Sequence, residues 1–184
     1  AVPHSLVAVL AREVSGQTRV ITTLHGTDIT LVGIEPSFLE VTRYAIEASD
    51  GVTAVSNALA SDTHKLLGVQ KEIQTIYNFV NPDVYRPIDE TPRSIYAGNG
   101  QRVFIHISNF RPVKRVLDVV EVFARLQKQT PSILLLVGDG PQHCQVLSRA
   151  RELGISDQVR FLGQQREVVS LLSASDVMLL PSEK

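Results

Sequence analysis

The sequence is short of several features that would mark a specialised class of protein. Tryptophan is absent, aromatic residues make up 5% of the 184 residues, and the formal net charge is −1. Few aromatic side chains and no excess of basic ones argue against a nucleic-acid-binding protein. Cys144 is the single cysteine, so no internal disulfide can form and a cytoplasmic location is expected. No apolar run approaches the roughly 18 residues that span a bilayer, so we expect no membrane insertion.

Patterns typical of metal sites and of several hydrolases are missing as well. The five histidines never occur four residues apart, and there is no Asp-x-Asp pair. These absences argue against a divalent-metal site, so we expect no metal and no other cofactor. The nucleophile elbow and the P-loop are also absent, which argues against an α/β-hydrolase or a P-loop nucleotidase. His106 lies within an apolar run, and we interpret it as a core histidine whose ring is hydrogen-bonded.

Strand-like and helix-like patterns alternate along the chain. Apolar runs predict strands at 19–24, 52–55, 73–76, 103–107, 133–137, 159–162 and 177–180. Helical periodicity fills the intervals; one helix is expected to follow the cap residue Ser37, and another to begin at Pro112. This alternation implies parallel sheets with right-handed crossovers, and therefore an α/β fold with two doubly wound, Rossmann-like domains.

A stretch rich in proline and glycine and without periodicity separates the two halves. We therefore predict an N-terminal domain over 1–82, a linker over 83–102 and a C-terminal domain over 103–184. The chain starts without methionine inside a helical pattern and stops just after an apolar strand. We expect each domain to be incomplete in this stretch of sequence.

A basic loop follows the strand at 103–107 and reads Ser-Asn-Phe-Arg-Pro-Val-Lys-Arg over 108–115. Arg111, Lys114 and Arg115 thus cluster where a strand gives way to a helix. The N-terminus of a helix offers unpaired N–H groups and partial positive charge, and both favour a phosphate. In open α/β folds ligands bind at this carboxyl edge of the sheet. The alternative is a solvated basic loop.

Two further strand ends are candidates for a ligand site. Gly138 and Gly140 follow a buried strand, and glycines allow a backbone to approach a ligand closely. The third glycine of the dinucleotide fingerprint is missing, so a plain tight turn is the alternative. Phe161 and Gly163 end the next strand, where main-chain groups are placed to bind a nucleobase edge. An ordinary strand end is the alternative there.

The N-terminal half offers one loop and one arginine. His25, Thr27 and Asp28 follow a predicted strand, and polar clusters at such positions are often functional. An Asx-type turn made by Asp28 is the alternative. Arg43 lies on the following helix, where it can bind a carboxylate through two N–H groups or be simply solvated.

Taken in order, these motifs resemble those of the retaining glycosyltransferases of family four. The chain carries His-Gly-Thr-Asp at 25–28, Asn-Phe-Val-Asn-x-x-x-Tyr-x-Pro at 78–87, Ser-Asn-Phe-Arg-x-Val-Lys-Arg at 108–115, Val-Gly-Asp-Gly-Pro at 137–141, Phe-Leu-Gly at 161–163 and Pro-Ser-Glu-Lys at 181–184. The resemblance covers the whole chain and implies the GT-B fold, in which two Rossmann-like domains face a cleft. It also implies sugar transfer from a nucleotide diphosphate without a metal.

The resemblance assigns roles to individual residues. Lys114 matches the phosphate-binding lysine of the family, and His25 matches the histidine beside the donor sugar. The arginine expected five residues before that lysine is Asn109 here, and Arg111 supplies the charge instead. The residues that line the nucleotide are Asn109, Gly138, Gly140, Phe161 and Gly163. Thr27 and Arg43 are the expected contacts of the acceptor.

Within the family, segments 24–29 and 107–116 are most similar to members that transfer N-acetylglucosamine from UDP-GlcNAc to L-malate in bacillithiol biosynthesis. The family also carries an N-terminal glycine-rich loop and, just after Pro-Ser-Glu-Lys, a pair of glutamates. Neither occurs in this chain, so we expect the fragment alone to be inactive. Two alternatives stay open: a family member with another acceptor, such as inositol phosphate or a lipid-linked sugar, and a non-catalytic nucleotide-binding module. The oligomeric state is open too, a homodimer included.

Overall fold

The computed structural model describes residues 3–16, 18–26, 29, 35–88 and 93–183, and it divides the chain into two compact units between Val80 and Asn81. The first unit contains a parallel sheet in the order β1-β2-β3, with strands β1 Ile21–Leu24, β2 Gly51–Ala54 and β3 Gln74–Thr75. Its helices are α1 His4–Ser15, α2 Pro36–Ala48 and α3 Asn57–Leu67. Its core gathers apolar side chains from β1, β2, α2 and α3.

The second unit contains a parallel sheet in the order β6-β5-β4-β7. Its strands are β4 Arg102–Ile107, β5 Ser132–Val137, β6 Val159–Gly163 and β7 Val177–Met178, and its helices are α4 Val116–Gln127, α5 His143–Glu152 and α6 Val169–Ser173. Short 3₁₀ turns occupy Arg93–Ile95, Pro112–Lys114 and Ser156–Gln158. The alternation of strand and helix predicted from the sequence is confirmed in both units.

Strand β5 lies at the centre of the second unit. All six of its residues are buried. Leu134 and Leu136 pack into one core cluster with α4 and α5, whereas Ile133, Leu135 and Val137 pack into a second cluster on the opposite face. A strand covered on both faces shows a continuous apolar run rather than alternation, which is the pattern in the sequence.

Several boundaries differ from the predictions. The helix expected at Pro112 begins at Val116, because Pro112–Lys114 forms a 3₁₀ turn and Arg115 then adopts a left-handed conformation with φ of 52°. Ser37 is not a cap: α2 begins at Pro36, with Glu35 in the N-cap position. The last strand stops at Met178, two residues before the predicted end.

The segment around the predicted linker packs on the second unit where it is described. Arg93 donates to the carbonyl oxygens of Ala174 at 3.1 Å and Gln101 at 2.8 Å, and Ala97 belongs to a core cluster of that unit. The domain and linker boundaries themselves remain a prediction. None of the helices in the described ranges is long and apolar enough to cross a membrane.

Candidate functional site

Three loops meet at the carboxyl edge of the four-stranded sheet. They follow β4, β5 and β6, and backbone hydrogen bonds join them: Ser108 N donates to Val137 O at 3.0 Å, Gly138 N to Gly163 O at 2.7 Å, and Gln142 N to Phe110 O at 3.1 Å. The structure thus gathers at one edge the residues predicted to contact the nucleotide sugar in this unit, namely Asn109, Arg111, Lys114, Gly138, Gly140, Phe161 and Gly163. Their roles in binding remain predictions.

The three basic residues of the first loop differ in their surroundings. Arg115 forms an ion pair with Asp118 on the first turn of α4, so its charge is balanced locally. Arg111 is exposed and Lys114 is half-buried. Neither side chain makes a hydrogen bond or ion pair with a residue in the described part of the chain. These two cations are therefore the ones available to an anionic ligand.

The backbone of this loop bends sharply around Lys114. Lys114 N donates to Arg111 O at 2.8 Å and Arg115 N donates to Pro112 O at 2.9 Å. The left-handed Arg115 then leads into α4, whose first N–H groups, at Val116 and Leu117, have no partner within the helix. Such N–H groups and the helix dipole favour an anion. The helix N-terminus predicted from the sequence exists, but it lies four residues later.

The glycines of the second loop are explained by how closely the first loop approaches. A Cβ atom on Gly138 would lie 1.8 Å from the carbonyl oxygen of Ser108, and one on Gly140 would lie 2.1 Å from that of Asn109. Both glycines also adopt positive φ, 118° and 159°. Their first role is therefore to let two loop backbones pack together, which is closer to the tight-turn interpretation than to direct ligand contact.

The rings of four residues lie next to one another in these loops and in the elements beside them: His106, Phe110, His143 and Phe161. Phe110 is fully buried, and its ring centroid lies 6.1 Å from that of His106 and 6.1 Å from that of His143. His143 in turn stacks on Phe161 at 5.2 Å with an interplanar angle of 18°. Phe110 adopts φ of 35°, a conformation that costs a non-glycine residue roughly 1–3 kcal/mol and is tolerated only where the surroundings impose it.

His143 and Asp139 also lie in this loop region, although no pattern in the sequence singled them out. The Nδ1 atom of His143 lies 2.9 Å from a carboxylate oxygen of Asp139, which also accepts the Gly140 N–H at 2.8 Å. These two hydrogen bonds, the one from His143 first, hold the pKa of the Asp139 carboxyl below its ordinary value. In the sequence the two residues are four positions apart, at the turn that precedes α5. This spacing indicates an interaction only when the conformation of the loop is known.

The interpretation of His106 is confirmed. Its side chain is fully buried, Nδ1 lies 2.8 Å from the carbonyl oxygen of Leu179, and Nε2 lies 2.8 Å from Oγ of Ser108. Burial lowers the pKa of His106, and the nearby charge of Lys114 lowers it further, while the bond to the Leu179 carbonyl acts in the opposite direction.

In the first unit, His25 directly follows β1 and is exposed at the carboxyl edge of the three-stranded sheet. At the same edge the amide nitrogen of Asn57 donates to the hydroxyl of Tyr77 at 3.1 Å. Thr27 and Asp28 lie outside the described residues, so the structure says nothing of the expected acceptor contact at Thr27. The role assigned to His25 remains a prediction.

Arg43 has structural partners in the first unit. Its Nε donates to the carbonyl oxygen of Leu67 at 2.6 Å, and its NH2 nitrogen pairs with Glu40 at 3.2 Å. Leu67 ends α3, which starts at the carboxyl edge and runs to the amino edge of the sheet. The structure therefore does not bring the guanidinium group to the edge that carries His25. Acceptor binding by Arg43 remains a prediction, and these contacts compete with it.

No group of three or more histidine, cysteine, aspartate or glutamate side chains placed to hold a metal ion occurs among the described residues. Metal independence therefore remains an expectation from the sequence. The anion binding predicted for the carboxyl edge of the second unit would rest on Lys114, Arg111 and backbone N–H groups.

Two family models match the chain. The model described as "Glycosyl transferases group 1" matches residues 87–184, and that described as "Glycosyltransferase Family 4" matches residues 1–84. Among curated proteins, the N-acetyl-alpha-D-glucosaminyl L-malate synthase of Bacillus anthracis is 47% identical over 187 aligned residues, covering 100% of this chain and 49% of that protein. The lipopolysaccharide core biosynthesis glycosyltransferase LpsD of Rhizobium meliloti is 32% identical, covering 63% of this chain and 32% of that protein.

Solved structures show the same fold. Anabaena Alr3699/HepE in complex with UDP and glucose superposes with a TM-score of 0.82 at 19% identity, covering 97% of this chain and 50% of that one. WaaG, a glycosyltransferase involved in lipopolysaccharide biosynthesis, superposes with a TM-score of 0.70 at 18% identity, covering 95% of this chain and 56% of that one. The predicted GT-B architecture is confirmed, and the chain spans about half the length of these proteins.

Proposed function

The chain belongs to the glycosyl transferases group 1 family, and from this we propose that the protein carrying it transfers N-acetylglucosamine from UDP-GlcNAc to the hydroxyl of L-malate, with retention at the anomeric carbon. This would be the first step of bacillithiol biosynthesis, carried out in the cytoplasm. The observation that carries the proposal is the 47% identity to a GlcNAc-malate synthase along the whole of this chain.

The geometry of the second unit supports the donor half of the reaction. As the glycosidic bond breaks, negative charge grows on the leaving diphosphate. Lys114 and Arg111 make no ion pair within the described part of the chain, and they lie beside the first N–H groups of α4. Cations and N–H groups fixed before the reaction stabilise such charge without reorganisation. These groups carry the whole electrostatic task in a reaction without a metal, which we also propose.

The acceptor half rests on the resemblance more than on contacts. L-malate carries two carboxylates, and we propose Arg43 and Thr27 as their partners, with His25 beside the donor sugar. Following the family resemblance, we propose that the proton of the malate hydroxyl passes to an oxygen of the departing phosphate, since this stretch of sequence offers no convincing general base. Of these residues only His25 is described at the carboxyl edge of the first sheet.

The test uses the full-length protein, UDP-GlcNAc and L-malate, with the anomeric configuration of the product read by NMR. We expect an α-linked GlcNAc-malate, formed equally well after dialysis against excess chelator. Product formed with inositol phosphate or a lipid-linked sugar, but not with malate, would replace the acceptor and keep the family. Binding of UDP without any transfer would favour a non-catalytic nucleotide-binding protein. Activity that collapses with chelator and returns with Mg²⁺ or Mn²⁺ would overturn metal independence.

A further inference from the structure

The hydrogen-bond directions around His106 are fixed by its two neighbours. The carbonyl oxygen of Leu179, 2.8 Å from Nδ1, accepts only, so Nδ1 carries the proton in this arrangement. A neutral ring then has an acceptor at Nε2, and the hydroxyl of Ser108, 2.8 Å away, donates to it. Both ring nitrogens are thereby satisfied in a fully buried side chain.

Ser108 connects the His106 ring to the backbone of the basic loop. Its Oγ, while donating to His106, also accepts the backbone N–H of Phe110 at 3.3 Å. Phe110 holds the strained φ of 35°, and its ring is fully buried against His106 and His143. Asn109 lies between Ser108 and Phe110, so the residues on both sides of it are held by these contacts. A strained residue of this kind keeps its conformation only when neighbouring contacts impose it.

The other side of the His106 ring reaches the segment after β7. Leu179 accepts the ring proton, and four residues later the N–H of Glu183 donates to the carbonyl oxygen of Val113 at 2.8 Å. Val113 immediately precedes Lys114. The imidazole therefore bonds both to Ser108, at the start of the basic loop, and to Leu179, in the segment whose Glu183 N–H bonds that loop at Val113.

We propose that His106 is a positioning residue for the donor diphosphate: through Ser108 it holds the loop that carries Asn109 and Lys114 in the conformation that binds it. The inference rests on the proposed function for the identity of the ligand, a nucleoside diphosphate. His106 touches no substrate in this scheme and acts through the loop. The neutral ring is the form that holds the Ser108 hydroxyl in this orientation: a protonated Nε2 becomes a donor, so the hydroxyl must turn to accept from it and its own proton loses its acceptor.

The charged groups around the ring set the direction of the pH effect. Lys114, in the loop after β4, is the charge that acts on it, and together with burial it keeps the pKa of His106 below the ordinary value of about 6.5. Leu136, the neighbour of His106 in register on β5, brings no charge. The ring of His143 on α5 lies 6.1 Å from that of Phe110, and Glu183 belongs to the segment after β7. As the pH falls through that lowered pKa, the ring becomes charged and its hydrogen bond with the Ser108 hydroxyl reverses direction.

Three variants of the full-length protein distinguish the bond between the His106 ring and Ser108 from the bond between the ring and Leu179. His106→Asn keeps a donor near Leu179 and removes the acceptor for Ser108, whereas Ser108→Ala removes the relay and leaves the imidazole. The third variant combines both substitutions. His64→Gln is the matched control, since His64 also bonds a backbone carbonyl, that of Val69, but lies on α3 of the first unit. UDP binding is measured by titration calorimetry from pH 5 to pH 8, and folding is checked by circular dichroism.

We expect about tenfold weaker UDP binding at pH 8 in His106→Asn and in Ser108→Ala, the loss that corresponds to one buried hydrogen bond. The double variant should bind no more weakly than either single one, because both substitutions break the same link. The affinity of the wild type should depend on pH differently from that of His106→Asn, since only the wild type has a titrating ring at this position and UDP contributes its own titration equally to both. The His64→Gln control should match the wild type.

Folded His106 and Ser108 variants that bind UDP as tightly as the wild type would overturn the proposal, as would additive losses in the double variant. If His106→Asn fails to fold, Ser108→Ala decides the matter alone. A wild-type protein that binds no UDP would instead contradict the proposed function, so the two failures are distinguishable.

Discussion

The two edges of the four-stranded sheet use their charged side chains in opposite ways. At the amino edge, Asp176 accepts hydrogen bonds from the side chains of Arg93 and Arg102 and from the backbone N–H of Val103 at 2.7 Å. The bond from Arg93 is the first cause that holds the pKa of the Asp176 carboxyl below its ordinary value. At the carboxyl edge, the half-buried Lys114 has no such partner among the described residues.

Backbone strain follows the same division. Among the described residues, the non-glycine residues with positive φ are Phe110 and Arg115, and both lie in the loop at the carboxyl edge. A carboxylate that two arginines bind stabilises the fold, whereas strain and an unpaired cation lower its stability and are tolerated where a ligand compensates for them. The amino edge thus has the features of a stabilising cluster, and the carboxyl edge has the features expected of a binding site.

The strongest test of this comparison is Gly138→Ala in the full-length protein. The new Cβ atom would meet the Ser108 carbonyl oxygen at 1.8 Å, so the loops must separate, and the positive φ adds strain. We expect a loss of about 4 kcal/mol in the free energy of unfolding together with a loss of UDP binding. The control is Gly154→Ala, which also has positive φ but no atom within 4 Å of the new Cβ, and should cost about 1 kcal/mol. Equal effects in thermal unfolding would show that the loops do not pack as described.

Lys114→Ala should impair the catalytic role proposed for the carboxyl edge without affecting the fold. Loss of one fixed charge contact to the leaving diphosphate is expected to lower kcat by a factor on the order of 10²–10³, about 2.7–4 kcal/mol. The melting temperature should not fall, because the ammonium group has no partner to lose in the described part of the chain. Lys128→Ala, at the exposed C-terminal end of α4, is the control. A kcat within threefold of the wild type would remove Lys114 from the catalytic assignment.

Asp176→Asn should do the reverse and act on stability alone. Because the amide lacks the charge that Arg93 and Arg102 bind, we expect a loss of about 1.5–3 kcal/mol in stability with kcat and KM unchanged. The lowered pKa of the carboxyl also fixes a pH dependence. Its contribution is fully present above about pH 3.9, the unfolded pKa, and disappears as the pH falls through the folded pKa.

Thermal unfolding from pH 7 down to pH 2 measures that dependence. The wild type should lose more stability than Asp176→Asn over this range, while Asp157→Asn, exposed on a 3₁₀ turn, should behave as the wild type. Parallel curves for the wild type and Asp176→Asn would mean that the charge of Asp176 contributes nothing to the dependence of stability on pH.

The smallest effect concerns Arg43 in the first unit. Arg43→Lys keeps the positive charge and loses the Nε–H that bonds Leu67 O, so we expect a loss of about 0.5–1.5 kcal/mol in stability. If Arg43 also binds the acceptor, the KM for L-malate rises and the KM for UDP-GlcNAc stays constant, because only acceptor binding is removed. Saturation by malate that is unchanged in both Arg43→Lys and Arg43→Ala would place the acceptor site elsewhere and leave Arg43 a structural residue.

Local patterns in the sequence were sufficient for much of the fold. The continuous apolar run of β5 and the strand-helix alternation predicted parallel sheets, and Gly16 and Gly68 end α1 and α3 in left-handed conformations. The prediction was wrong at the start of α4, because the 3₁₀ turn at Pro112 depends on the loops packed around it. Proline suits the first turn of either helix type, so the sequence alone does not distinguish them.

By itself the sequence determined the α/β architecture, the absence of an internal disulfide, the buried state of His106 and the ordered motifs that indicate the family. Each follows from a residue type or from a periodicity along the chain. Only the tertiary structure decided that, among the described residues, Arg115 has an ion-pair partner and Lys114 has none. It also decided that Gly138 and Gly140 serve the approach of another loop, and that His106 reaches the basic loop through Ser108. These are contacts between segments that follow different strands, and the atoms that face one another across such loops are fixed by the packing of the sheet rather than by any local pattern.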